Sequence, residues 1–280
     1  NGKKVHVEYE PSSGSDNNMY HGAKNVTLLT GSKVVDIDVI NQTVSLANGQ
    51  SFAYDKCLLG TGGTPREIPG SEALPKDRIS TFRSLDDFKH VYDMSRSGAN
   101  IVVVGGSWLG TELSYALGSH KMSQQQKTQK SGGTTTTDAG SVVQVYLEPE
   151  VLARNLPRYL SESVRATLQS VGVQLKPNRN VVKVSLEKRP RPNGDQLEDK
   201  VIVTLDNGEE LVTDFVLTAT GIFPNTELAE NAGLEIDPVN GGIVTNAELE
   251  ARQNVFVAGD VLSYYDVVLG RRRYEHYEHA

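Results

Sequence analysis

The stretch Ile101–Gly110, IVVVGGSWLG, decides the fold. Four consecutive apolar residues read as a strand buried on both faces of a parallel sheet. GGSWLG and the following TELSYALG, with Leu113 and Leu117 on one face, read as a tight turn opening a helix. Strand, glycine turn and helix in this order are the context in which a dinucleotide pyrophosphate binds. Gly105 makes the turn and Gly110 lets the helix approach the strand closely. The middle position normally lacks a side chain and here is Ser107, whose small hydroxymethyl group is itself able to bond a phosphate. Gly106, Trp108 and Leu109 complete the loop. An anion placed there sits on the helix N-terminus, where free N–H groups and the dipole favour negative charge.

A dinucleotide site needs an acid at the end of the next strand to hold the adenosine ribose hydroxyls. The strand VVQVYLE, residues 142–148, ends on Glu148. It stands farther along than the usual ~20 residues, and the polar run Lys121–Gly140, KMSQQQKTQKSGGTTTTDAG, accounts for the excess. That run has almost nothing to bury and reads as a disordered surface insertion, with or without a partner to recruit. A carboxylate at this position favours NAD over NADP.

Two segments repeat with one offset: NGQSFAYDKCLLGTGGTP, residues 48–65, and NGEELVTDFVLTATGIFP, residues 207–224. Each reads as a hairpin turn, a strand, and a second strand with a near-continuous apolar run of the kind buried in a parallel sheet. Duplication predicts two related α/β domains. Between the copies, SLDDFKHVYDMSRSG predicts a helix capped by Ser84 with Asp87 three residues on, carrying apolar Leu85, Phe88 and Val91/Tyr92. PRYLSESVRATLQSVG predicts another, with Pro157 at its start and Leu160, Val164 and Leu168 on one face. VVKVSLE and KVIVTL predict strands of a small antiparallel unit joined by a polar loop, KRPRPNGDQLED.

The chain has 280 residues, 38% hydrophobic and 22% charged, enough for a sizeable core. A single cysteine, Cys57, excludes an internal disulfide, a dithiol pair and a cysteine-rich zinc site within this stretch. A net charge of −7 argues against binding nucleic acid over the whole surface and leaves only a local basic patch. No apolar run is long enough to span a bilayer. The opening NGKKVHVEYE carries no signal or transit pattern, and the start without methionine and the ending EHYEHA suggest a fragment.

NVFVAGD, residues 254–260, is a strand ending in an acid, Asp260. With LLGTGGTPR at the other end of the first repeat, it resembles the glutathione-reductase-like pyridine nucleotide flavoproteins. CLLGTGGTPR, VVVGGSWLGTELSYALG, GLEID…GGIVTNAELEARQNVFVAGD and YYDVVLGRRRYEHYEHA resemble, more narrowly, the apoptosis-inducing factor group. The resemblance implies a Rossmann-like NAD domain, residues 80–221, inserted into a Rossmann-like FAD domain, residues 1–79 and 222–280, each with a small antiparallel β unit. It implies that the FAD domain is incomplete here, because no GxGxxG precedes Asn1, and that a C-terminal domain is missing. In the FAD part, Val34 would contact the adenine end by backbone, with Thr61, Gly62 and Arg66 beside the cofactor. Asp260 would lie at the ribityl or pyrophosphate region, and Glu275 and His276 near the isoalloxazine.

In the NAD part, the resemblance makes residues 105–110 the phosphate loop, with Trp108 at the nicotinamide face and Glu112 beside the rings. Glu148 would hold the ribose, Arg154 would contact the dinucleotide, and Gly221 would line the nicotinamide pocket. Hydride would pass from NADH to FAD, with Trp108, Glu112 and His276 shaping the stacked ring pair rather than reacting. Plainer readings stand beside these: Trp108 as a packing residue, Arg154 as a surface charge, and His276 with His279 as a metal pair or a solvated face. Arg271, Arg272 and Arg273 resemble the group's nucleic-acid or nuclear-import patch and read equally as solvated or paired charges. Mitochondrial residence in the intermembrane space, release to cytosol and nucleus, a cell-death role, protein partners and an NADH-linked dimer come with the resemblance. A ferredoxin-reductase-type electron carrier and an NADH-sensing signalling protein are the alternatives.

Overall fold

The computed structural model describes residues 27–130, 140–190 and 196–274, without the side chains of 127–130. The chain divides into two compact units. One runs from Pro65 to Ile222, and the other holds the chain up to Thr64 and from Phe223 onward. The expected break before residue 80 therefore falls earlier. Residues 65–79 belong with the unit 65–222 because Ile68, Leu74 and Ile79 bury in its core with Val181, Val184 and Val201. The contact there is tight. Val184 N donates to Pro69 O at 3.0 Å, and a Cβ on Gly70 would meet Val184 O at 2.4 Å.

In the unit 65–222, five parallel strands lie in the order Ile79–Ser80, Phe215–Thr218, Ile101–Val104, Val142–Val145, Val173–Lys176. Alternate residues face opposite ways along each strand. Ile101, Val103, Phe215 and Leu217 pack with Leu113, Leu117 and Leu168 of the helices. Val102, Val104, Val145 and Val216 pack instead against Val181, Val201, Val203 and Leu205. Those residues belong to an antiparallel sheet, Val181–Pro190, Leu197–Leu205 and Glu210–Thr213, that covers the second face. Both faces of the apolar strand are thus dry, as its unbroken run requires.

Helix α1, Leu85–Arg96, starts with the expected capping box: Asp87 N donates to Ser84 Oγ at 3.1 Å and Ser84 N to Asp87 Oδ2 at 2.8 Å. Its apolar stripe is only partly used. Val91 is buried, whereas Leu85, Phe88 and Tyr92 are exposed. Helix α3, Arg158–Ser170, is capped at Pro157 and buries Leu168 and Ser161, but Leu160 is exposed.

Two expectations are corrected. Helix α2 runs from Trp108 to Lys130, so the first ten residues of the presumed disordered insertion are helical. Gln, Lys and Met lose little side-chain freedom in a helix, and apolar periodicity is not required for them to continue one already nucleated. Lys121 is buried, and its Nζ donates to Ala99 O. Residues 131–139 of the insertion lie outside the described residues. Both ends of the polar loop KRPRPNGDQLED are likewise strand: Lys188 pairs with Asp199, Arg189 with Glu198 and Pro190 with Leu197.

The other unit is built from three small sheets around Ile37, Leu59, Ala229, Ile243, Val255, Val257 and Val261. Val34–Asp38, Thr43–Leu46 and Ser51–Ala53 form an antiparallel meander. Cys57–Leu59 runs parallel to Val255–Val257, which also pairs with Glu250–Arg252. Ile243–Val244, Leu262–Asp266 and Gly270–Arg272 make the third sheet. A short helix α4, Glu227–Asn231, packs on the meander. Among the described residues no helix is long and apolar enough to cross a membrane.

Candidate nucleotide site

The glycine loop joins the strand Ile101–Val104 to α2. Gly105 has φ 133°, and a Cβ there would stand 2.2 Å from Ala219 O. A Cβ on Gly110 would stand 2.3 Å from Gly105 O. No side chain fits at either position, so the turn and the close helix approach both demand glycine. Gly106 is constrained from beneath, since a Cβ there would meet Tyr146 Cβ at 2.8 Å. Ser107, by contrast, is exposed, and its Oγ lies 3.5 Å from Ala219 O while its carbonyl accepts from Thr111 N at 3.0 Å. The residue that departs from the usual pattern is the one with room to do so.

Three buried residues that the pattern of glycines did not point to hold this loop. Gln144 is wholly buried in the second strand, and its Nε2 donates to Gly105 O at 2.9 Å. Tyr146 is 2% exposed under Gly106, and burial pushes its phenol up to about 12. Leu152 N donates to Gly106 O at 2.7 Å from a left-handed conformation, φ 56°. A lone Gln inside VVQV was the available signal, because a polar residue at a core-facing strand position must be satisfied.

The second strand ends at Val145 rather than running on to Glu148 as expected, and Glu148, three residues beyond it, is half-buried. Its carbonyl accepts from Asn178 N at 3.1 Å, and its Oε1 lies 2.5 Å from Arg154 Nε. Glu148 and Arg154 are thus brought together, and the turn carrying both hangs from Gly106 through Leu152. Trp108 is half-buried at the first position of α2, with Leu109 exposed beside it and Glu112 exposed at the start of the second turn. Gly221, φ 93°, accepts from Arg66 N at 2.9 Å, and Arg66 Nε donates to Ile222 O at 3.2 Å. Arg66 therefore belongs with the unit 65–222 rather than with the first.

The remaining residues lie in the other unit. Thr61 Oγ1 donates to Asn225 O at 2.8 Å, and Asn225 N donates to Gly62 O at 3.0 Å. Val34 pairs with Leu46 at the edge of the meander. Asp260 sits in a 3-10 turn, residues 259–261, directly after Val255–Val257. Glu275, His276 and His279 lie outside the described residues. The arginine run is a fastening rather than an open patch: Arg271 donates to Thr245 O and Ser263 O at 2.6 and 2.9 Å, and Arg273 Nε to Asn240 O at 2.8 Å.

The donor set fits a dinucleotide in the unit 65–222. It offers a side-chain-free turn at the N-terminus of a long helix and a carboxylate at the end of the next strand. In the other unit the strand expected to end on Asp260 stops at Val257, and the described residues supply that acid from a 3-10 turn without a comparable glycine turn opening a helix of any length.

Comparison with known proteins agrees with this geometry. Apoptosis-inducing factor 1, mitochondrial, from Dictyostelium discoideum is 37% identical over the whole of this chain, which covers 47% of that protein. The putative Drosophila melanogaster counterpart is 31% identical over 91% of this chain and 32% of its own length. The chain spans less than half the length of these relatives. The crystal structure of the covalent putidaredoxin reductase–putidaredoxin complex matches with TM-score 0.72 and 24% identity over 93% of this chain and 57% of that one, a likeness of fold. The pyridine nucleotide-disulphide oxidoreductase family matches residues 3–280. The chain belongs to that family.

Proposed function

We propose that this chain is the nucleotide-binding part of an NADH-oxidising flavoprotein of the apoptosis-inducing factor type. The observation that carries the reading is the glycine loop, where Gly105, Gly106 and Gly110 are each held by a backbone or ring contact that admits no side chain, with Glu148 one strand away. The backbone N–H groups at the start of α2 take the pyrophosphate, and Glu148 takes the adenosine ribose hydroxyls. Trp108 and Glu112, near the start of α2, flank the nicotinamide, and Gly221 leaves room beside it. Val34, Thr61, Gly62, Arg66, Asp260, Glu275 and His276 are assigned to FAD on the strength of the resemblance.

When bound together, nicotinamide and flavin supply a hydride donor and acceptor, so the protein's part is orientation, exclusion of water and electrostatics. No side chain has to donate or accept a proton for that step. Mitochondrial residence and a cell-death role rest on the names of the two apoptosis-inducing factors. A nucleic-acid role is not carried forward.

Anaerobic addition of NADH to the full-length protein tests the reading, with bleaching of the flavin absorbance as the expected result. Retained flavin bands with NADH demonstrably bound would overturn the enzymatic assignment. Glu148→Ala should weaken NADH binding about 10- to 100-fold, the loss of one or two charge-assisted hydrogen bonds. An unchanged dissociation constant removes the ribose role.

A further inference from the structure

Glu148 is not a bare carboxylate. Arg154 Nε lies 2.5 Å from its Oε1, with the arginine side chain 76% exposed and the glutamate 22%. The turn that brings them together is firmly held. Val151 and Leu152 are buried, Leu156 N donates to Leu152 O at 2.9 Å, and Leu152 N reaches Gly106 O. The guanidinium therefore belongs to the same turn as the acid, and that turn is bonded to the glycine loop.

This pairing bears on which dinucleotide enters, and it rests on the nucleotide reading given above. A carboxylate at the ribose position bonds the 2′-hydroxyl and repels a 2′-phosphate, while a nearby arginine accommodates one. A free carboxylate beside a phosphate of charge −1.5 to −2 is a like-charge contact. A carboxylate already paired with a guanidinium presents a net charge near zero. The pair is made through Nε of Arg154, and a guanidinium carries five N–H donors in a fixed fork that match phosphate oxygens.

We propose that Arg154 is a specificity-determining residue that neutralises Glu148 and receives the 2′-phosphate, so that the site accepts dinucleotides with and without that group. ADP-ribose and 2′-phospho-ADP-ribose, titrated into the full-length protein by calorimetry, test this without redox chemistry. The wild type should prefer ADP-ribose by no more than about tenfold. Arg154→Ala should weaken 2′-phospho-ADP-ribose by at least about tenfold more than it weakens ADP-ribose. Glu148→Gln should shift the ratio the other way. A wild-type preference above about a thousandfold, or a ratio that Arg154→Ala leaves unmoved, overturns the proposal while the nucleotide site stands. Failure of ADP-ribose itself to bind removes the site as well.

Discussion

The two copies of the sequence repeat fold alike and are buried very differently. In each, an Asn-Gly turn closes a hairpin and the next strand joins a neighbour in parallel. In the second copy that strand, Phe215–Thr218, lies between two others and every residue is buried. In the first copy, Cys57–Leu59 has one strand neighbour among the described residues, and Leu58 is 67% exposed where its counterpart Leu217 is 0%. The preceding acids diverge in the same way. Asp55 is exposed, while Asp214 receives Asn100 N at 2.8 Å and pairs with Lys200 at 2.5 Å. An apolar run specifies a strand, but the number of neighbours decides what the run contributes to stability.

Breaking the comparison is most direct at the leucines. Leu217→Ala should cost about 2–5 kcal/mol, as removal of a core leucine does. Leu58→Ala should stay within about 0.5 kcal/mol. Urea unfolding of the two variants checks the contrast, and equal losses would erase it.

The pH dependence should separate the units. In the unit 65–222, burial holds Lys121 down to about 8 despite the pull of Asp214. From there up to its ordinary 10.5 the unfolded chain keeps a proton that the folded chain has lost, so stability rises with pH across that window. Lys121→Met should abolish the rise. In the other unit, burial works against Asp237, but bonds from Asn240, Val239 and Ser263 outweigh it and hold the carboxyl down to about 2. Its contribution is complete above the ordinary 3.8 and disappears as pH falls through about 2. Asp237→Asn should flatten that acid limb, as followed by circular dichroism.

A smaller effect than at Leu217 should fall where the copies agree. Gly49 and Gly208 occupy the same hairpin position with φ 84° and 82° and open space where a Cβ would go. Alanine at each should cost about 1 kcal/mol from the left-handed backbone alone. Matching shifts in urea midpoint sharpen the equivalence, and a twofold difference would break it.

Much of this was legible in the sequence because it lies in local patterns. The run Ile101–Val104, the capping box at Ser84, the two Asn-Gly hairpins and the acid at Glu148 are each written in a few adjacent residues. Features that depend on distant partners were not. Nothing near Gly106 announces Tyr146 beneath it, and nothing near Pro65 announces that Ile68 and Leu74 bury against Val184. The helix through residues 121–130 was missed because propagation from an established start needs no apolar face of its own. The pairing of Glu148 with Arg154 depends on a left-handed residue at Leu152, which composition gives no reason to expect.

The length of α2 has one more consequence. At 1.5 Å per residue its 23 residues span about 34 Å. The glycine turn opens at one end of that rod, and the polar run from Lys121 makes up the ten residues at the other. The helix acts as a spacer, setting Lys130 about 34 Å along its axis from the glycine turn.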